Sequence, residues 1–287
     1  MEEGTTSNQV TLLFQIGGVN ADVQFDDPQG LAVDGNGNLY VADMGNHRVH
    51  KFGPSGRFLV KWGAQGSGDG QYDFPSGIAV DGDGNVYVAD SRNCRVQKFS
   101  PSGEFLAKWG VEGSAEGEFD APGGIAVDGG GNVYVADSMN YRVQKFSPSG
   151  HFLAKWGVQG SGDGQFDFPG GIAVDPDGNV YVVESRNDRV QKFSSTGGFL
   201  AKWGSYGNGD GQFNDPQGIA VDRERNVYVA DLGNQRVQKF GANGQFLAKW
   251  GNSGSGNTAG IAVGGDGNVF VSGGSAVRKF SQAPIST

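Results

Sequence analysis

Tryptophan occurs five times, at Trp62, Trp109, Trp156, Trp203 and Trp250, and every interval is 47 residues. Pro28, Pro75, Pro122, Pro169 and Pro216 keep the same spacing. A period of that length marks one supersecondary unit repeated, each copy burying its apolar face against the next. The second unit holds four short runs of β-forming residues: Gly77–Val80, Val86–Ala89, Arg95–Phe99 and Phe105–Trp109. Turn-forming stretches separate them: Asp81 to Asn85, Asp90 to Asn93, and Ser100 to Gly103. Four antiparallel strands per unit make one propeller blade. Glycine, at 52 of 287 residues, weakens helices and excludes a helical bundle. It does not recur at every third position, which excludes collagen.

The core G-[IL]-A-V occurs six times, beginning at Gly30, Gly77, Gly124, Gly171, Gly218 and Gly260. The last copy stops after Val277-Arg278-Lys279-Phe280 and lacks a fourth strand. Leu12 to Gly17 supplies a strand at the other end of the chain, with Ile16 where the other copies carry tryptophan. The expectation is an all-β fold: a single domain over residues 1–287, a six-bladed β-propeller of four-stranded antiparallel blades. The N-terminal strand, at about residues 10–17, completes the last blade and closes the ring. Closure hides the blade faces that an open array would leave exposed.

Asn46-His47-Arg48-Val49, Asn93-Cys94-Arg95-Val96 and Asn140-Tyr141-Arg142-Val143, together with P-x-G-I-A-V-D, resemble the NHL repeat. The resemblance covers about residues 12 to 280. It implies the propeller fold and leaves function open, because NHL-type propellers include RNA-binding domains, protein-interaction modules, extracellular ligand sensors and a lyase with metal in its channel.

Two sets of carboxylates recur. Asp43, Asp90, Asp137, Glu184 and Asp231 each end a strand five residues before Arg48, Arg95, Arg142, Arg189 and Arg236. A hairpin brings each pair together as a structural ion pair, since the guanidinium fork suits a carboxylate. Asp34, Asp81, Asp128, Asp175 and Asp222 follow the inner strands. They either accept hydrogen bonds from their own turns or hold a calcium-like divalent cation at a channel mouth. No other metal ligands and no catalytic residues stand out, and no cofactor is expected beyond such a cation. His47, His50 and His151 should not converge. Gly66 to Gln71 lacks the lysine and following helix of a phosphate loop.

The repeat relaxes at Met44, His47, Arg92, Cys94, Met139, Tyr141, Arg186, Asp188, Leu232 and Gln235, in the turn after each strand-two carboxylate. It relaxes again at Gln29, Ser76 and Gln217, at the start of the inner strand. Both sets open on one end of a propeller, and varied loops on a rigid scaffold suit recognition. These residues form the expected ligand-binding face, with Cys94 read as a surface thiol.

The net charge is −9, and the 22 basic residues spread around the rim as repeated lysines and paired arginines. That argues against nucleic acid as a partner. No apolar run is long enough to span a membrane, and no signal peptide is visible, so a soluble chain of unknown compartment, and a monomer, is expected. Residues 64–110 and 158–204 differ at only ten of 47 positions. Such uniformity favours a non-enzymatic binding scaffold for a protein, peptide or polar small ligand. The alternatives are a divalent-cation-dependent hydrolase or lyase at the channel mouth, and a consensus-like or recently amplified propeller with no selected ligand.

Overall fold

The computed structural model describes residues 10–18, 23–251 and 258–282. They form six four-stranded antiparallel sheets set as the blades of a propeller. Blades 1 to 5 are continuous in sequence, each running from inner to outer strand: 28–62, 75–109, 122–156, 169–203 and 216–251. Blade 6 takes three strands from 258–282 and its outer strand from Val10–Gly17. That strand pairs antiparallel with Ala276–Gln282, Ile16 opposite Val277, so the ring closes as the sequence predicts. No α-helix occurs among the described residues; two short 3-10 turns follow the second strands of blades 2 and 3.

The core lies between blades rather than within them. Tyr40, Ala42 and Val49 of blade 1 pack against Tyr72, Ile78, Val88 and Phe99 of blade 2 and its leading loop, and equivalent wedges recur around the ring. Each wedge is fully dry at its centre, with Tyr87 and Phe99 at 0 % exposure. Aromatic side chains of this size contribute the most apolar area per residue.

One glycine position sets how closely the inner strands approach the axis. In each blade the inner strand bulges after its first residue, a proline in blades 1 to 5 and Thr258 in blade 6, as between Pro75 and Ile78. A Cβ on Gly77 would lie 2.4 Å from the carbonyl oxygen of Gly123 in the next blade. The five equivalent glycines meet the same obstruction, so the ring admits no side chain there.

Candidate functional site

Antiparallel pairing puts the start of each inner strand at the same end as the turn joining strands two and three. Pro75 lies opposite Asp90, and Asp90 opposite Arg95. This turn end carries the variable positions expected to form the ligand-binding face. The Asp34-type carboxylates lie at the other end, after the Val80–Val86 pairing.

Each of the five recurring carboxylates contacts the arginine five residues on. In blade 2, Arg95 Nε donates to Asp90 Oδ2 at 2.8 Å, with the carboxylate wholly buried. Asp90 also accepts from the Asp73 backbone N–H, Asn93 and Gln97. The remaining guanidinium nitrogens donate to the carbonyls of Ser67, Gly68 and Gln71, tying down the loop that leads into the blade. Blades 3, 4 and 5 repeat the cluster. In blade 4, Glu184 does the work of aspartate, and Val183 replaces the usual alanine before it. Burial pushes the Asp90 and Asp137 carboxyls up despite their donors. Blade 1 differs: His50 stands in place of glutamine, its Nε2 is 2.9 Å from Asp43 Oδ2, and Arg48 is 26 % exposed. Burial also acts upward on Asp43, but hydrogen bonds from His50, Asp26 N–H and Asn46, with the charge of His50, carry its carboxyl below the ordinary range.

The second carboxylate set serves its own turns. Asp81 accepts from Asp83 N–H, Asn85 N–H, Asn85 Nδ2 and Tyr87 Oη at 2.8 to 3.0 Å. Asp34, Asp128, Asp175 and Asp222 accept the same Asn and Tyr donors in their own turns. Burial and the neighbouring carboxylate push the Tyr87 phenol up. No group of three or more His, Cys, Asp or Glu among the described residues could hold a metal ion. The channel metal that the NHL resemblance admits therefore does not fit these residues. The histidines stay apart: His47 at the turn end, His50 buried, and His151 bonded to Ser149 in an exposed turn.

A cavity of about 190 Å³ opens on the axis. Gln29, Ser76 and Gln217 line it, as do Phe168 and Ser138, above a ring formed by Leu31 and five isoleucines. The turn residues expected to share this face do not line it. His47, Cys94, Tyr141, Asp188 and Gln235 all adopt left-handed backbone conformations, φ from 48° to 54°. In two of them the side chain reaches the next blade: Phe74 N–H donates to His47 Nδ1 and Asp215 N–H to Asp188 Oδ1. Cys94 is a correction: it is only 8 % exposed, packed in the wedge between blades 2 and 3, and burial pushes its thiol up. Arg92 and Arg186 are exposed, lying over the rings of Phe74 and Phe168 at 3.9 and 5.1 Å. Met139 and Gln235 are exposed, while Met44, Tyr141 and Leu232 are half-buried.

The mouth is asymmetric. In blades 1 and 5, Gln29 and Gln217 donate Nε2 to Asp27 and Asp215, each at 2.7 Å. A carboxylate can only accept, so each amide is oriented, and its oxygen and its second N–H are left for a ligand. In blades 2 and 4, phenylalanine replaces the aspartate, and an arginine covers the ring. An acceptor side therefore flanks blade 6, and an aromatic and cationic side flanks blade 3. Burial, with Asp215 and Asp231 nearby, pushes the Asp188 carboxyl above its ordinary range, although it accepts the Asp215 N–H. Sequence reasoning passed over Asp27, Asp215 and Phe168. The available signal was that Asp-Pro-Gln recurs where the other copies have Phe-Pro or Ala-Pro.

The NHL repeat model matches residues 25–52, 72–99, 119–146, 166–193 and 213–240, five consecutive repeats. A search of curated proteins finds no match. Solved structures share the fold. A streptogramin B lyase is 13 % identical with a TM-score of 0.68, covering 96 % of this chain and 98 % of its own. Virginiamycin B lyase from Staphylococcus aureus is 13 % identical at 0.66, covering 96 % and 100 %. XC5397 from Xanthomonas campestris, a gluconolactonase, is 16 % identical at 0.71, covering 96 % and 90 %. At these identities the likeness shows the fold alone. It nevertheless corrects the expectation of a non-enzymatic scaffold, since the same propeller carries enzymes over nearly its full length. Uniformity of the ring was the ground for that expectation, and the mouth, where chemistry would take place, is the part of the ring that is not uniform.

Proposed function

We propose, from the premise that this chain is an NHL-repeat propeller, that it is an enzyme which seats a small polar molecule in the axial cavity and cleaves it there. The observation that carries the reading is the break in sixfold repetition at the cavity mouth, where Asp27 and Asp215 orient Gln29 and Gln217 on one side and Phe168 stands on the other. A concave site with a few oriented polar groups is where a small ligand is expected to bind. The oriented amide oxygens of Gln29 and Gln217 accept hydrogen bonds from the substrate, and Phe168 supplies an apolar wall. Cleavage of a carbon–oxygen bond there has two balanced outcomes: water gives its hydroxyl to the carbon and its proton to the leaving oxygen, or a neighbouring carbon loses a proton that the leaving oxygen gains. The names of the solved neighbours, a lyase and a gluconolactonase, span these two outcomes.

The test is turnover of quinupristin, the ligand named with the virginiamycin B lyase, and of gluconolactone, each above its uncatalysed rate. One of them should be cleaved, and Gln217→Leu, which removes an oriented acceptor from the cavity, should lower kcat/KM by about 3- to 10-fold, the scale of one lost hydrogen bond. No turnover of either compound, or full activity in Gln217→Leu, overturns the reading.

A further inference from the structure

The axial cavity does not end at the axis. A second cavity of about 250 Å³ lies over blade 6 and shares Gln29 and Ala259 with the first. Its other walls are Asp27, Pro28, Leu232 and the backbone of Gly273 and Gly274. The shortened turn of blade 6 accounts for it. Four residues separate the paired Asp90 and Arg95 in blade 2, but only two separate the paired Gly273 and Ala276. The missing residues leave a notch in the turn end, leading sideways out of the axial cavity.

The chemistry of the notch is one-sided. Leu232, Ala259 and Pro28 are aliphatic. Asp27 is an exposed carboxylate with one oxygen held by Gln29 Nε2, which uses one of the two amide N–H donors and fixes the amide oxygen as an acceptor. Among the described residues, no lysine or arginine lines either cavity. Acceptors on an aliphatic-walled slot match an alkylammonium group, whose three N–H donors and charge remain at neutral pH. We infer that the blade 6 notch is a subsite for a primary aliphatic ammonium, carried on a chain that continues into the axial cavity. This rests on the cavity assigned above as the site of reaction and adds the class of substrate: an amine-bearing molecule.

The probe is n-pentylamine, with n-pentanol as its uncharged counterpart, titrated by calorimetry and by chemical-shift changes in the intact chain. Pentylamine should bind at least about tenfold more tightly than pentanol, the scale of one charge-assisted hydrogen bond. Asp27→Asn should remove that preference and leave pentanol binding unchanged. Leu232→Arg should block the amine by placing a guanidinium beside Asp27; an unaltered melting temperature would show that this variant is folded. Equal binding of amine and alcohol, no saturable binding of the amine, or full amine binding in both folded variants overturns the inference. The two proposals fail separately. Amine binding by the wild type without turnover sinks only the enzyme. Turnover without amine preference sinks only the subsite.

Discussion

In blade 2 the guanidinium of Arg95 reaches back to three carbonyls of the loop that leads into the blade. Blade 6 has Ala276 in that register position and Gly273 where the carboxylate would stand. The cause lies upstream. Twelve residues separate the outer strand of blade 1 from the inner strand of blade 2, and six separate blade 5 from blade 6. A shorter connection has fewer carbonyls to tie, so the pair loses its purpose. Both members are gone together, because either alone would be a buried, uncompensated charge. Arg278 instead stands where blade 2 has Gln97, opposite Val271, and burial pushes its guanidinium below the ordinary range. Blade 1, across the closing seam, keeps the carboxylate and arginine but puts His50 at the glutamine position. The regular blades hold long loops by ion pairs. The closing blades hold a seam by strand pairing and apolar packing, and the freed space becomes the notch.

The largest effect should come from removing the closing strand. Without residues 1–17, Ala276–Gln282 loses its outer partner and keeps only Val269–Gly273, and the wedge between blades 6 and 1 loses Ile16 and Phe14. The truncated chain should lose the cooperative melt of a monomer and associate through the bare edge, as read by circular dichroism and size exclusion. An unchanged melt would mean that the seam adds nothing to a ring already held by its blades. Next is a break within the regular blades. Asp137→Ala strands the buried guanidinium of Arg142 and should cost about 3–5 kcal/mol, or roughly 6–20 °C in Tm. Asp137→Ala with Arg142→Ala, which imitates blade 6, should cost less than the two single changes added together. Simple additivity would show that the pair is not a unit.

The fold was legible because it depends on what every copy shares. Trp62 to Trp250 count the blades, and the lack of an outer strand after Phe280 points to Leu12–Gly17. The ion pairs were legible because a five-residue spacing across a tight turn leaves little geometric choice. The site was not, because it depends on which copies depart and in which direction the departing side chains turn. Cys94 and Asp188 occupy the same turn position, yet the left-handed backbone carries one into a wedge and sets the other against Asp215. Likewise, Gln29 looks like an isolated variable residue until its hydrogen bond to Asp27 orients the amide.

His50→Gln sharpens the comparison at the seam. His50 Nδ1 is buried with no hydrogen-bond partner, whereas Gln97 Oε1 at the same position accepts from Gly70 N–H. Replacing the histidine should stabilise by about 1–2 kcal/mol, within the cost of an unsatisfied buried group. The acid side should change too. The Asp43 carboxyl lies below its ordinary value, so its contribution is complete above about pH 4 and is lost as pH falls through the folded value. His50 is among the causes of that shift, so the glutamine variant should lose less stability than the wild type between pH 4 and 2. Parallel acid-titration curves would assign the shift to Asp26 N–H and Asn46 alone.

The smallest effect separates the first junction from those that follow. Trp62 Nε1 donates to Tyr72 Oη at 3.1 Å. At the next three junctions Phe119, Phe166 and Phe213 stand where Tyr72 does, and the indole nitrogens of Trp109, Trp156 and Trp203 are buried without a partner. The ring geometry is nearly superposable: Tyr72 lies 5.7 Å from Phe99 at 49°, and Phe119 lies 5.5 Å from Phe146 at 48°. A hydroxyl added to Phe119 should therefore meet the Trp109 N–H. Each of Phe119→Tyr, Phe166→Tyr and Phe213→Tyr should stabilise by about 0.5–1.5 kcal/mol, and Tyr72→Phe should destabilise by a similar amount. The three gains should add, since a whole blade separates the sites. Chemical denaturation checks this: the midpoint should rise with each tyrosine while the slope stays constant. A loss of stability instead would mean that the wedge has no room for the oxygen at these junctions, and that the tyrosine at residue 72 depends on a local opening beside blade 1 that the regular blades have closed.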